Sequence, residues 1–347
     1  MCSQIFMDAD TDPTVLSGAV YAPMGGAYRI GSEEHFIFEA CEYMDSFLDF
    51  HPTIAILLGA ELEHVDYFKD MEQITESFAR FASLTGADGT TVVNLDDGDI
   101  MESARRALER GRTGRLVTFS AEGNPAADFT ARHIRTEGGL PCFELVANGA
   151  SWGEVYMAVP GKHQVINALA AAAAMDACGI PMEAILSGLA HYCGAGRRME
   201  YKGTVNGARV YDDYGHHPTE VKATLEGAKA LCCEAGDLIC VFQPHTYSRT
   251  KTLFDQFVET FDEADRLLIT DIMGAREVDP GDIKSEMLIA PIRARGVDAV
   301  LTPTFDDAEA YLRKHWQAGD VMISHGCGDI DLLNEQIALH GDSPRQD

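Results

Sequence analysis

The stretch Tyr211–Glu220, reading YDDYGHHPTE, gathers Asp212, Asp213, Tyr214, His216 and His217 around a single glycine. Carboxylates and imidazoles this close together can exchange protons, hold a cation or grip the charged ends of a substrate. With His245 they could also hold a transition metal for hydrolysis, a reading that predicts a tightly bound ion. The simpler alternative is a solvated loop with an Asp cap. Upstream, Ala208–Tyr211 reads as the end of a β-strand. From Thr219 a helix is expected, with Val221, Leu225 and Ala228 at helical spacing and Pro218 suited to its first turn. The polar run is thus predicted to be a strand-to-helix turn, at the carboxyl end of a strand where open α/β sheets bind ligands.

The elements that must position this turn form two series. In the first half, strands are expected at Thr14–Ala19, His35–Cys41, Ile54–Ala60 and Thr90–Leu95, and helices at Met71–Leu84 and Ile100–Arg110. HFIFEAC and IAILLGA are near-continuous apolar runs, as in strands buried on both faces of a parallel sheet. From Arg115 to Val159 shorter alternating segments with Gly and Pro turns suggest a small antiparallel addition. Helices His163–Cys178 and Met182–Tyr192 follow. In the second half, strands at Gly207–Tyr211, Leu238–Phe242, Arg266–Thr270, Ala299–Leu301 and Val321–Ser324 alternate with helices, the pattern of a doubly wound α/β domain. The glycines Gly194 and Gly196 mark the expected boundary. The predicted domains are residues 1–194 and 195–340, with a polar tail over 341–347.

A chain of 347 residues suits two domains, and its charge is strongly negative: 27 Lys and Arg against 55 Asp and Glu, a net −28. Such a field repels phosphate backbones and anionic bilayers, which argues against nucleic-acid or membrane partners while leaving small anions open to local donors. The cysteines (Cys2, Cys41, Cys142, Cys178, Cys193, Cys232, Cys233, Cys240 and Cys327) form no CxxC pair. They are expected to be reduced, in a cytoplasmic protein.

Six motifs occur in one order: EACEYMDSFL (Glu39–Leu48), PGKHQVINALAA (Pro160–Ala171), GAGRRME (Gly194–Glu200), YDDYGHHPTE, FQPHTYSRT (Phe242–Thr250) and SHGCGDI (Ser324–Ile330). Together they closely resemble the Mur ligases over nearly the whole chain, and within that family the branch that adds L-alanine to UDP-N-acetylmuramate. The branch that adds a whole peptide to the same sugar is the runner-up. The resemblance implies a central ATPase-type domain followed by a Rossmann-like C-terminal domain. It also implies ATP and Mg²⁺, and amide formation in peptidoglycan precursor synthesis through an acyl phosphate. A carboxylate is a poor electrophile, so the catalytic task is to neutralise charge on the transferring phosphoryl group and align the reactants.

Residue by residue, the resemblance implies that Glu39 and His64 hold metal, with Glu42 a supporting acid. His64 is flanked by Glu61, Glu63 and Asp66. Asn167 and Gln164 would meet the adenine ring, Gln164 standing where an asparagine is usual. Arg197 and Arg198 would reach the nucleotide. Asp213 would contact nucleotide or ammonium, and His216 the reacting groups. Tyr214, His217, His245 and Arg249 would hold the substrates, with His216, Asp213 and Arg249 closest to the chemistry. SHGCGDI supplies glycine turns before a helix, suited to an anion or to tight packing.

The resemblance also has departures. Thr246 replaces an arginine, and in LLGAELEH Gly59 and Glu63 replace an asparagine and an aspartate. No G-x-x-x-x-G-K-[ST] phosphate loop occurs in these 347 residues. The expectation from this is a fragment lacking its phosphate loop and UDP-binding domain, with little ligase activity alone, or a non-catalytic remnant.

Overall fold

The computed structural model describes residues 1–64, 67–111, 114–232 and 236–342. Asp66, Cys233 and residues 343–347 of the expected tail lie outside them. The chain divides into two compact units, Met1–Cys193 and Gly194–Asp347. No helix among the described residues is long and apolar enough to cross a membrane.

In the first unit a six-stranded sheet runs in the order Ile54–Leu57, Thr90–Asn94, Arg115–Ser120, Phe129–Glu137, Leu140–Ala147, Ala150–Tyr156. Its first four strands pair in parallel and its last three as an antiparallel meander. The expected antiparallel addition is therefore a continuation of the parallel sheet, and Arg115–Ser120 belongs to the parallel part. The alanine-rich helix His163–Ala177 is buried against this sheet, because its small side chains let the backbone approach closely. Gly188 does the same for helix Met182–His191: a Cβ there would come 2.5 Å from the Ile5 Cα, so helix Cys2–Asp8 seats on it only because that side chain is missing.

A second, three-stranded sheet has the order Gly26–Arg29, Thr14–Tyr21, Phe36–Phe38. This corrects the reading of HFIFEAC as a doubly buried strand. Only Phe36–Phe38 is extended, and Phe36 is 57% exposed. Ile54–Leu57, by contrast, pairs in parallel at one edge of the large sheet and is packed on both faces, Ala55 and Leu57 in one apolar cluster and Ile54 and Ile56 against another.

The second unit is a six-stranded sheet ordered Glu200–Val205, Ala208–Asp213, Val321–His325, Leu238–Phe242, Arg266–Ile269, Asp298–Leu301. All its pairs are parallel except the first. One apolar cluster packs helices Pro218–Lys229 and Glu286–Ala294 on one face, and another packs Phe305–His315 and Asp331–His340 on the opposite face. Strand Glu200–Val205 was not anticipated; its sequence, EYKGTV, is too polar to signal a strand, as suits an exposed edge. Strand Ala208–Asp213 runs two residues further than expected, so Asp212 and Asp213 are sheet residues and not part of the turn. Chain order places Leu238–Phe242 directly after Ala208–Asp213, yet Val321–His325 lies between them. The loops after these three strands therefore converge at one carboxyl edge.

Candidate active site

In the second unit the carboxyl edge is built from buried charges. Asp213 Oδ1 accepts the Gly215 amide at 2.8 Å, and its Oδ2 accepts the Met199 amide at 2.9 Å. Burial pushes this carboxyl up, but the adjacent His325 and the two amides outweigh it and hold Asp213 below the ordinary aspartate range. Asp212, on the other face of the strand, accepts the Ser324 hydroxyl at 2.9 Å and lies 3.2 Å from Arg197 Nε. There burial wins, and its pKa is raised.

Arg197 is not left free for a nucleotide. Besides Asp212, its Nη2 donates to the Gly326 carbonyl at 2.7 Å and its Nη1 to that of Gly328 at 3.2 Å, clasping the SHGCGDI turn. His217 is also turned inward: it is the N-cap of helix Pro218–Lys229, in a reciprocal capping box with Glu220. Glu220 accepts the amides of His216 and His217. Burial raises its pKa, but His216, these amides and Arg198 bring the net below the usual glutamate range.

The remaining expected residues form a continuous half-exposed rim. Arg197 and Arg198 stand 5.0 and 5.6 Å from the centre of the Tyr214 ring. Tyr214 meets His216 edge-on at 5.7 Å, and His216 lies 6.3 Å from the His245 ring. Arg249 Nη1 is 3.3 Å from His245 Nδ1. Burial first, then Arg249 and His216, lower the His245 pKa, which favours its neutral ring. The rim gathers the guanidinium groups of Arg198 and Arg249, which suit carboxylates, beside the acids Glu220 and Glu277. Thr246, in place of an arginine, sits at φ 65°, and its hydroxyl accepts the Arg249 amide at 3.4 Å, capping the short helix Tyr247–Thr252. A backbone with positive φ at a β-branched residue is strained.

In the first unit the metal-capable group differs from the expected pair. Glu42, Glu63 and His64 each offer one ligand atom within 4.8 Å of the others, and Glu42 Oε1 lies 3.1 Å from His64 Nε2. Among the described residues this is the group of three acidic, histidine or cysteine side chains able to share an ion; Asp212, Asp213, His216, His217 and His245 do not form one. The proposed hydrolytic metal site is thus not assembled. Glu39 is exposed and accepts the Gly18 amide at 2.9 Å, outside the group. The loops that bring Glu42 and Glu63 together pass through positive φ at Met44, Asp45 and His64, a conformation no hydrophobic pattern encodes. Gly59 leaves space filled by Asp97, whose Oδ2 accepts the Ala60 amide at 3.2 Å.

Two carboxylates give the hard oxygen donors that Mg²⁺ or Mn²⁺ prefers, with one imidazole beside them, so the residues fit a divalent ion. Gln164 fits the adenine role: it is buried in the first turn of its helix, its Nε2 is 3.0 Å from His163 Nε2, and its Oε1 has no hydrogen-bond partner. An unmet buried acceptor is what an exocyclic amine would satisfy. Asn167, three residues on and half-buried, lies on the same helix face.

Comparison with known proteins agrees with this division. Residues 28–175 match the Mur ligase middle domain, and residues 197–328 match the Mur ligase glutamate ligase domain. The chain belongs to the Mur ligase family. The UDP-N-acetylmuramate–L-alanine ligase of Caldanaerobacter subterraneus subsp. tengcongensis is 40% identical over 338 residues, covering 97% of this chain and 72% of the relative. Among solved structures, the UDP-N-acetylmuramate–alanine ligase of Thermotoga maritima superposes with a TM-score of 0.78 at 21% identity, over 98% of this chain and 71% of that one. A murein peptide ligase of Psychrobacter arcticus gives 0.67 at 22%, over 97% and 73%. These two likenesses concern the fold. As in other Mur ligases, the family chemistry is ATP-dependent amide ligation.

Proposed function

We propose that this chain acts as a UDP-N-acetylmuramate–L-alanine ligase, in which ATP activates the sugar carboxylate and the amino group of L-alanine displaces phosphate from the acyl phosphate. The observation that carries the reading is identity to an alanine-adding ligase at 40% through both units at once. Gln164 and Asn167 are assigned to adenine, and Glu42, Glu63 and His64 to a divalent ion. When bound, that ion supplies charge neutralisation for phosphate oxygens. In the second unit Arg249 and Arg198 offer guanidinium donors to carboxylates, and neutral His245 can accept or donate a hydrogen bond beside them. Asp213 supports the turn from beneath. Of the residues expected from sequence, Arg197 and His217 take structural roles, and Glu39 yields its place at the ion to Glu42 and Glu63.

The test is incubation of the purified protein with UDP-N-acetylmuramate, L-alanine, ATP and Mg²⁺, read by mass spectrometry. L-alanine incorporated only in the presence of ATP is the expected result, and it would also remove the expectation of low activity drawn from the missing phosphate-loop motif. No incorporation above the ATP-free control would contradict the proposal. Preferential incorporation of a peptide would move it to the peptide-adding branch.

A further inference from the structure

His325 is fully buried, titratable and unused by the reading above. It ends strand Val321–His325 and stands in register with Asp213 on one neighbouring strand and Phe242 on the other. Paired residues point to the same face, so its ring lies beside the Asp213 carboxylate, with Nδ1 3.4 Å from Oδ1. Neither ring nitrogen makes a hydrogen bond of normal geometry. Gly215 closes over the pair: a Cβ there would lie 2.7 Å from Asp213 Oδ1 and 3.4 Å from His325 Nδ1. The other titratable groups facing this pocket are the buried Cys240 thiol from the adjacent strand, kept neutral by burial and by Asp213, and Glu220 from the helix beyond Gly215.

We propose that His325 is a positioning residue, whose buried ring holds the Asp213 carboxylate in place and thereby fixes the two amides that flank the Tyr214–His216 rim. Asp213 joins two chain segments that are far apart in sequence, Met199 before the edge hairpin and Gly215 in the turn. Those segments carry Arg198 on one side and Tyr214 and His216 on the other. A carboxylate taken out of water keeps its charge only beside a compensating group. His325 stands beside that carboxylate together with the two amides, on the strand between Ala208–Asp213 and Leu238–Phe242. The inference takes its functional meaning from the proposed ligase, but it is tested without turnover, so the two can fail separately.

The experiment compares the wild-type chain with His325→Leu and His325→Gln, using carboxyl ¹³C titration of Asp213 and amide hydrogen exchange by NMR. In His325→Leu only the two amides are left to oppose burial, so the Asp213 midpoint is expected to rise by at least about one pH unit. The Gly215 and Met199 amides are expected to exchange about tenfold faster, while Val241 and Leu268 in the sheet centre keep their rates. His325→Gln, which retains a donor, should restore part of both effects. An Asp213 midpoint unchanged in both variants would overturn the proposal, as would acceleration shared equally by Val241 and Leu268.

Discussion

The two sites of this molecule handle charge in opposite ways. In the first unit Glu42, Glu63 and His64 sit half-buried on irregular loops, with their ligand atoms turned toward one another. In the second, Asp212 and Asp213 sit on a strand within the sheet, and protein donors surround each of them. Carboxylates crowded together repel one another and are stabilised by an added cation. Carboxylates already answered by amides, a guanidinium and an imidazole have no need of one and serve to hold backbone. The same residue types are therefore placed to bind in one region and to build in the other.

The largest expected effect comes from breaking the building site. Asp213→Asn should destabilise the second unit by about 3 kcal/mol, since it removes one partner of a buried pair and turns an amide donor toward another donor. Asp212→Asn should be milder, about 1 kcal/mol, because burial already disfavours its charged form. Urea unfolding of the two variants checks this, and equal losses would erase the distinction. The sign with pH follows. Asp213 has a folded value below its unfolded one, so its contribution is fully present above the ordinary aspartate range and is lost as pH falls through the folded value. Asp213→Asn should flatten that acid limb.

The binding site gives a smaller, sharper contrast. Glu42→Gln and Glu63→Gln should each weaken Mn²⁺ binding about tenfold, and Glu39→Gln less than about twofold, by calorimetry. The reverse order would restore Glu39 as the ligand. Next comes His245, whose ring should titrate below an ordinary histidine because burial and Arg249 disfavour its cation. Arg249→Ala should raise that midpoint, as followed by ring proton shifts. Smallest is Arg198→Ala: its side chain is 47% exposed and its ion pair with Glu220 spans 3.6 Å, so stability should change by less than about 0.5 kcal/mol.

Sequence pattern was sufficient for the strand and helix rhythm of the second unit, where period and turn residues agree, and for the motif residues that line its edge. It did not disclose which charges are spent internally. Arg197 reads as a free phosphate ligand until the SHGCGDI carbonyls are found beneath it. His217 reads as a substrate contact until its place at a helix start is known. His325 lay in a quoted motif but gave no signal, because its partner Asp213 is 112 positions away and their pairing depends on strand order. Glu42 and Glu63 were visible as acids near His64, but left-handed backbone at Met44, Asp45 and His64 decides their convergence.

The division between a binding site and a building site is tested most directly by paramagnetic Mn²⁺ added to the histidine-labelled protein at low stoichiometry. The account predicts that His64 signals broaden first, before those of His216, His217, His245 and His325. Broadening of the second-unit histidines with His64 unaffected would contradict it.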